Sequence, residues 1–467
     1  MTSIAQAVLA STTFTDLLSR GRERAVLSGR PVLVSLAQRI PSELTPLAVF
    51  AAGRKALGFR TFWGRPEQDF WLVGHGQAHV LKSNGADYVD IIARRHRALV
   101  SAAVSEGPDV RGVGPLLMGG FRYDTCTARD SAWDGFPDAL MVLPSYLFTW
   151  SKGSRWLTIN AMVASETDPL RQAEATMDEL RSLEGAHTNI PAQPTTRDTV
   201  DISYNEWQSR VNKALEDIKR GYLTKVVLAR KKVLQGCSRY LPESALAQLC
   251  RAYPGCSVFA VDYGHSSFVG ASPETLARVE GRRLSLTCLA SSAARGGNTE
   301  EDYRLARQLE ASSKEQREHS AVVAMLTAAL KDICRDLRWE TRPQVWKLKN
   351  VQHLLTPFTG DLADGYGVLD VVKRLHPTPA VGGVPTDHAL RLIRDLEGDR
   401  GWYAAPVGWL DHTSSGEFAV AIRSALVSGD RAVLYAGAGI IDGSDPEQEF
   451  RETEMKFQPM LTALRGG

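Results

Sequence analysis

Two glutamate pairs set the tightest constraint on this chain: Glu315/Glu318 in KEQREH and Glu449/Glu452 in PEQEFRET, each at i, i+3 in a helical stretch. That spacing puts both carboxylates of a pair on one face of its helix. If the fold brings the two faces together, the gathered negative charge is tolerable only around a hard, oxygen-seeking cation, Mg²⁺ first, with Mn²⁺ able to replace it in an all-oxygen site. If it keeps them apart, they are solvated acidic faces with Arg451 or Lys456 as partners. The last helix has a readable start, with Asp445 as N-cap, Pro446 at N1 and Gln448 at N3. Glu449 and Glu452 then fall near the positive end of its dipole, which favours the ionised form. Residues 300–335 read as one long helix carrying the other pair near its middle, and Val322, Val323, Met325, Leu326, Leu330 and Ile333 space a buried face.

A length of 467 residues suits two to three average domains, or one large α/β unit with an extension. With 55 basic against 53 acidic residues there is no electrostatic case for nucleic acid or a membrane surface, so a small-molecule partner is expected. The six cysteines (Cys126, Cys237, Cys250, Cys256, Cys288, Cys334) lack C-x-x-C spacing, which argues against zinc and against a disulfide framework and fits a reducing cytoplasm. No basic n-region with an apolar core opens the chain, and the longest apolar stretch, Ala321–Leu330, is too short to span a bilayer. A cytoplasmic monomer is the expectation. The polar stretch His187–Thr199, with two prolines and neither helical nor strand period, reads as a connection between segments 1–199 and 200–467. Both segments mix strands (Pro31–Ala37, Asp69–Val73) with helices (Tyr88–Ala103, Asp168–Leu183), and the first is free to add strands to the core of the second.

Several residues of the second segment suit chemistry. Glu417–Leu426 reads as one strand with Glu417, Ala419, Ala421 and Arg423 on a face, where small neighbours leave room for Arg423 to grip a carboxylate; pairing with a core acid is the alternative. Tyr222–Lys231 (YLTKVVLARK) reads as another strand with Lys225, Val227 and Ala229 on one face, and flanking valines would desolvate Lys225 and equip it as a base, unless it simply reaches to water. Glu274, after Ser272-Pro273 between two strands, is either a carboxyl aimed into a cleft as a general acid or a solvated turn residue. Gly437 and Gly439 in YAGAG allow close backbone approach to a ligand, a weak signal by itself.

Taken in order, these residues resemble the chorismate-utilising enzymes, and most of all the isochorismate synthases of menaquinone and siderophore biosynthesis. The resemblance lies in TKVVLAR, GASPETLARVEG, SSKEQREH, VQHLLTPFTG, LHPTPAVGGVP, DRGWYAAPVGW, SGEFAVAIRSAL and YAGAGIIDGSDPEQEFRETEMK, which span most of residues 205–465. PVLVSLAQRI, RTFWGRPEQDFWLVGHG and VGPLLMGGFRYD look similar to the menaquinone-type enzymes. The resemblance implies an α/β fold of the α+β type, with large antiparallel sheets at the centre and helices outside. It implies chorismate as substrate, Mg²⁺ held by Glu318 and Glu452 with Glu315 and Glu449 close by, Lys225 as general base and Glu274 as general acid. Arg423, Lys456 and backbone near Gly437 and Gly439 would hold the pyruvyl carboxylate, and Ala290, Ser291, Ser292, His376 and Ala380 would touch substrate, with His353 a further pocket histidine.

Sister activities differ at identifiable positions. Ammonia-using anthranilate synthases typically carry glutamine where this chain has Lys225, and aminodeoxychorismate synthases carry a lysine where it has Ala290. Enzymes that go on to eliminate pyruvate tend to have threonine at Ala380, so alanine points to an enzyme that stops at isochorismate. One departure stands out: the family's LAGT or LAGS is here Leu289-Ala290-Ser291-Ser292, and Ser291 adds a Cβ and a hydroxyl where glycine is usual. A salicylate synthase-type activity and a weakly catalytic chorismate-binding paralogue are the competing expectations.

Overall fold

Alternation along the strands buries both faces of the larger of two sheets. On the strand Ser257–Tyr263, Val258 and Ala260 enter one apolar cluster while Phe259 and Val261 enter another. Phe62 and Trp63 divide in the same way on the neighbouring strand Arg60–Arg65. The computed structural model describes residues 13–40, 44–54, 58–184, 190–347 and 351–465, and the side chains among them except those of Glu184, Ser291, Ser292 and Lys314.

Among the described residues the larger sheet has 13 strands and the smaller 10. Every pairing in them is antiparallel except that of Val32–Arg39 with Val104–Glu106. This is the α+β architecture with large antiparallel sheets that the resemblance implies. Both sheets mix the two halves of the chain. In the larger, Arg60–Arg65 lies between Ser257–Tyr263 and Phe70–His75; in the smaller, Leu116–Phe121 pairs with Pro406–Asp411. One apolar cluster joins the two sheets through residues such as Phe259 and Phe268 from the larger and Phe358 and Phe418 from the smaller. The other lies on the outer face of the larger sheet, under the helices Pro242–Ala252 and Pro446–Arg465, which contribute Leu246, Leu249, Phe457 and Leu464.

Three local expectations need correction. The stretch 300–335 is two helices, Thr299–Ala311 and Ser313–Leu330, broken at Ser312, whose extended backbone ends one and whose hydroxyl caps the next by accepting from the Glu315 amide at 3.3 Å. Glu315 and Glu318 therefore sit in the first turns of a helix, as Glu449 and Glu452 do after Asp445, which accepts from the Gln448 amide at 3.1 Å. Next, 417–426 is not one strand: Gly416–Val420 belongs to the smaller sheet and Ser424–Ser428 to the larger, and Arg423, at φ 53°, lies on the step between them. Glu417 thus shares no face with Arg423; it is fully buried and paired with Arg65 and Arg111 of the N-terminal segment. Finally, the stretch 187–199 lies partly outside the described residues, and its end joins a strand, Thr196–Asp201, on the edge of the larger sheet. Its side chains are mostly exposed, which is why no alternation marks it.

Candidate active site

The chain steps from one sheet to the other at Pro273–Glu274, between Ser266–Ser272 and Thr275–Glu280, and again at Ala421–Arg423. The steps are tied together: the Val420 amide donates to the Glu274 carbonyl at 3.1 Å, the Ala271 amide to the Arg423 carbonyl at 3.1 Å, and the Ser272 hydroxyl to the Val420 carbonyl at 2.6 Å. Glu274 and Arg423 are delivered by these steps into a cavity of about 140 Å³. Lys225, at the start of the strand Lys225–Gly236, faces the same cavity, as do Gly437 and Gly439 of the paired strand Arg431–Ile441. The two glutamate pairs, Glu315/Glu318 and Glu449/Glu452, meet here, together with Lys456, Ala290, Ala380 and His353.

One expected contact falls elsewhere. His376 does not line the cavity: it ends the helix Val368–Leu375, and its Nε2 lies 3.0 Å from the Tyr123 carbonyl with its ring edge-on to Tyr123. Burial in that apolar seat pushes its pKa down to about 4, so it serves as a neutral structural contact to the N-terminal segment. The side chains of Ser291 and Ser292 lie outside the described residues; their strand shifts register between Ala290 and Ser292, which opposes His353.

Electrostatically the cavity is a set of opposed charges. Lys225 is buried, with Nζ 2.6 Å from Glu318 Oε1. Lys456 Nζ lies 2.5 Å from Glu452 Oε1 and donates to the Gly437 carbonyl at 2.9 Å. Burial, then the neighbouring charge of Glu452, pushes the Glu449 carboxyl well above the usual range. Burial acts the same way on Glu452, but Lys456, a hydrogen bond with Glu449 and the charge of Arg423 together hold that carboxyl below the usual range. Glu274 is buried too, and desolvation raises its pKa to about 7 against the pull of Arg423 and Lys225.

Backbone geometry adds donors. The Val227 amide donates to the Gly382 carbonyl and the Ala229 amide to Glu397 Oε1, each at 2.7 Å, so both point away from Arg431–Ile441. Their register partners Gly439 and Gly437 must then turn their own N–H groups outward as well, toward the edge where Ser424–Ser428 pairs no farther than Ala425 with Leu434. Both positions are tight for a side chain: a Cβ at Gly439 would lie 3.2 Å from Lys225 Cε, and one at Gly437 would lie 3.2 Å from the Tyr403 hydroxyl.

Tyr403 is a cavity residue that sequence reasoning did not single out, although its motif DRGWYAAPVGW was among those carrying the resemblance. It stacks on Tyr435 at 5.0 Å, and burial raises its hydroxyl to about 12. Behind the cavity, buried Arg400 donates to the Val381 carbonyl at 2.8 Å and the Val227 carbonyl at 2.7 Å, clamping the Ala380–Val381 wall to the strand of Lys225. Isolated arginines of this kind carry no local sequence signal.

The donor chemistry fits a divalent cation: four carboxylates from two helix N-termini line one cavity, and the proton-sharing closeness of Glu449 and Glu452 marks an excess of negative charge. Among the described residues no three acidic, histidine or cysteine side chains are already drawn to ligand distances; Glu318 and Glu452 are paired with Lys225 and Lys456.

Comparison with known proteins identifies the family. The chain is 36% identical over 448 residues to isochorismate synthase MenF of Bacillus subtilis, covering 93% of this chain and 94% of the relative. It is 37% identical over 440 residues to the salicylate biosynthesis isochorismate synthase of Pseudomonas aeruginosa, covering 93% and 90%. Its fold matches the solved structure of MenF, the menaquinone-specific isochorismate synthase from Escherichia coli, with a TM-score of 0.78 at 26% identity over 96% of this chain and 99% of that one. The model of the chorismate binding enzyme family matches residues 21–465. This chain belongs to the chorismate binding enzyme family.

Proposed function

We propose that this protein is an isochorismate synthase that converts chorismate to isochorismate in the cytoplasm, for menaquinone biosynthesis, with Mg²⁺ bound. The observation that carries the reading is the meeting of Lys225 and Glu274, both buried, in one cavity with two carboxylate-binding cations and four glutamates. The names of the relatives support the same reaction, including the one assigned to salicylate biosynthesis, whose own product is also isochorismate by its name. Six unpaired cysteines suit a reducing compartment, and among the described residues no helix is long and apolar enough to cross a membrane.

Arg423, Lys456 and the N–H groups of Gly437 and Gly439 hold the pyruvyl carboxylate, which leaves the ring carboxylate toward the glutamates. Glu318 and Glu452 would hold the cation, with Glu315 and Glu449 beside them. A cation held there would supply positive charge to neutralise and orient the ring carboxylate. Lys225, oriented by Glu318 at 2.6 Å, takes a proton from a water whose oxygen bonds to ring carbon C2. The two ring double bonds each shift by one place and the C4–O bond breaks. Glu274, whose pKa of about 7 keeps much of it protonated near neutrality, passes its proton to the departing hydroxyl, which leaves as water. One water is consumed and one released, and solvent returns the proton from Lys225 to Glu274. Ala380 lines the cavity without a hydroxyl, in keeping with a reaction that ends at this stage.

The test is incubation of the purified protein with chorismate, with and without Mg²⁺, and separation of products by chromatography. Metal-dependent isochorismate without salicylate or pyruvate is the expected result. Salicylate with pyruvate would assign it a synthase–lyase activity instead, and chorismate left unconverted would sink the catalytic reading.

A further inference from the structure

Two of the three cations that face the catalytic cavity have a second side. Arg423 and Lys456, with Glu452, also line an adjoining cavity of about 140 Å³ walled by Cys256, Ala271, Ala293, Val351, Met455 and Pro459. The reaction described above does not use this space. Its walls come from the larger sheet, the final helix and the paired strands Arg283–Ala294 and Val351–Leu362, and they are mostly apolar. An apolar protein cavity of roughly 150 Å³ takes up benzene, so this one has room for a single six-membered ring. Among the described residues no hydrogen-bond or ion-pair partner holds the Arg423 guanidinium, which leaves it available to an anion. The acidic residue in the wall, Glu452, is already paired with Lys456 at 2.5 Å.

We propose that this chamber binds an aromatic monocarboxylate, with the ring among the apolar walls and the carboxylate on Arg423 and Lys456, and that such a ligand excludes chorismate because both need the same two cations. The exclusion rests on the reading that those cations take a carboxylate of chorismate. The ring site itself does not. A small aromatic acid would thereby throttle the enzyme by competition.

The probe is phenylacetate, with acetate as the carboxylate lacking a ring, titrated calorimetrically into the full chain in Mg²⁺-containing buffer. Phenylacetate should bind at least tenfold more tightly than acetate and be displaced by chorismate. Ala293→Leu, which fills the chamber, should weaken phenylacetate at least tenfold and acetate less than twofold. Met455→Ala, which enlarges it, should shift preference toward 1-naphthylacetate, and it decides the matter if Ala293→Leu does not fold. Equal binding of phenylacetate and acetate, or equal weakening of both by Ala293→Leu together with no shift in Met455→Ala, overturns the chamber. Ring-dependent binding that chorismate fails to displace leaves the chamber standing and overturns the substrate role of Arg423 and Lys456. Isochorismate formation without ring-dependent binding overturns the chamber alone.

Discussion

Glu274 is fixed by its own neighbours: its amide donates to the Ser272 hydroxyl at 3.2 Å, and its carboxyl sits where burial raises the pKa to about 7. Glu274→Gln keeps the shape and removes the transferable proton, so kcat should fall by about 10²- to 10⁴-fold. The acid role proposed for Glu274 needs its protonated form, so wild-type kcat should decline as pH rises through about 7. Stability carries the same signature. With the folded pKa at about 7 and an ordinary value of 4.5, the native state binds the extra proton between those limits, so this residue's contribution is present below pH 4.5 and lost as pH rises through 7. The Gln variant, which has nothing to ionise, should gain stability relative to wild type across that window, by about 1.4 kcal/mol for each unit of pKa difference at most. Urea melts of both proteins at several pH values check this, and a constant difference would contradict a buried, neutral Glu274.

At the level of elements, the site depends on helix starts. Ser312 separates two helices and caps the second, which places Glu315 and Glu318 at a positive dipole end facing the equivalent pair of the last helix. Ser312→Ala should cost about 0.5–2 kcal/mol in stability and weaken Mg²⁺ binding, read by denaturant melts and by the metal concentration that supports half-maximal turnover. An unchanged metal requirement would mean that the Glu315/Glu318 helix holds its place without the cap. The pairing of carboxylates was legible in the sequence because i, i+3 spacing is local. The helix break was not, since a serine that caps leaves the surrounding apolar spacing almost intact.

Over the whole molecule, the sheets leave no separable catalytic half. Arg60–Arg65 is an interior strand of the larger sheet, hydrogen-bonded on one side to Ser257–Tyr263, and buried Glu417 finds Arg65 and Arg111 across the two segments. Removing 1–199 would strip a neighbour from both sheets and leave Glu417 as an uncompensated buried charge, a loss of several kcal/mol from that residue alone. The fragment 200–467 should therefore lack a cooperative thermal transition by circular dichroism, whereas the full chain should unfold in one step. A stable, cooperative fragment would show that the composition change near residue 200 is a true boundary. The amino-acid sequence by itself determined which groups could do chemistry: two glutamate pairs at helical spacing, Lys225 between apolar neighbours in a strand-like run, Glu274 after a proline, and the paired glycines of YAGAG. Only the tertiary structure decided what those groups became, because desolvation and charge pairing depend on what packs nearby from far along the chain. The steps between sheets aim Glu274 and Arg423 inward, Lys225 and Lys456 face Glu318 and Glu452, and His376, similar in motif to a pocket histidine, is drawn away to Tyr123.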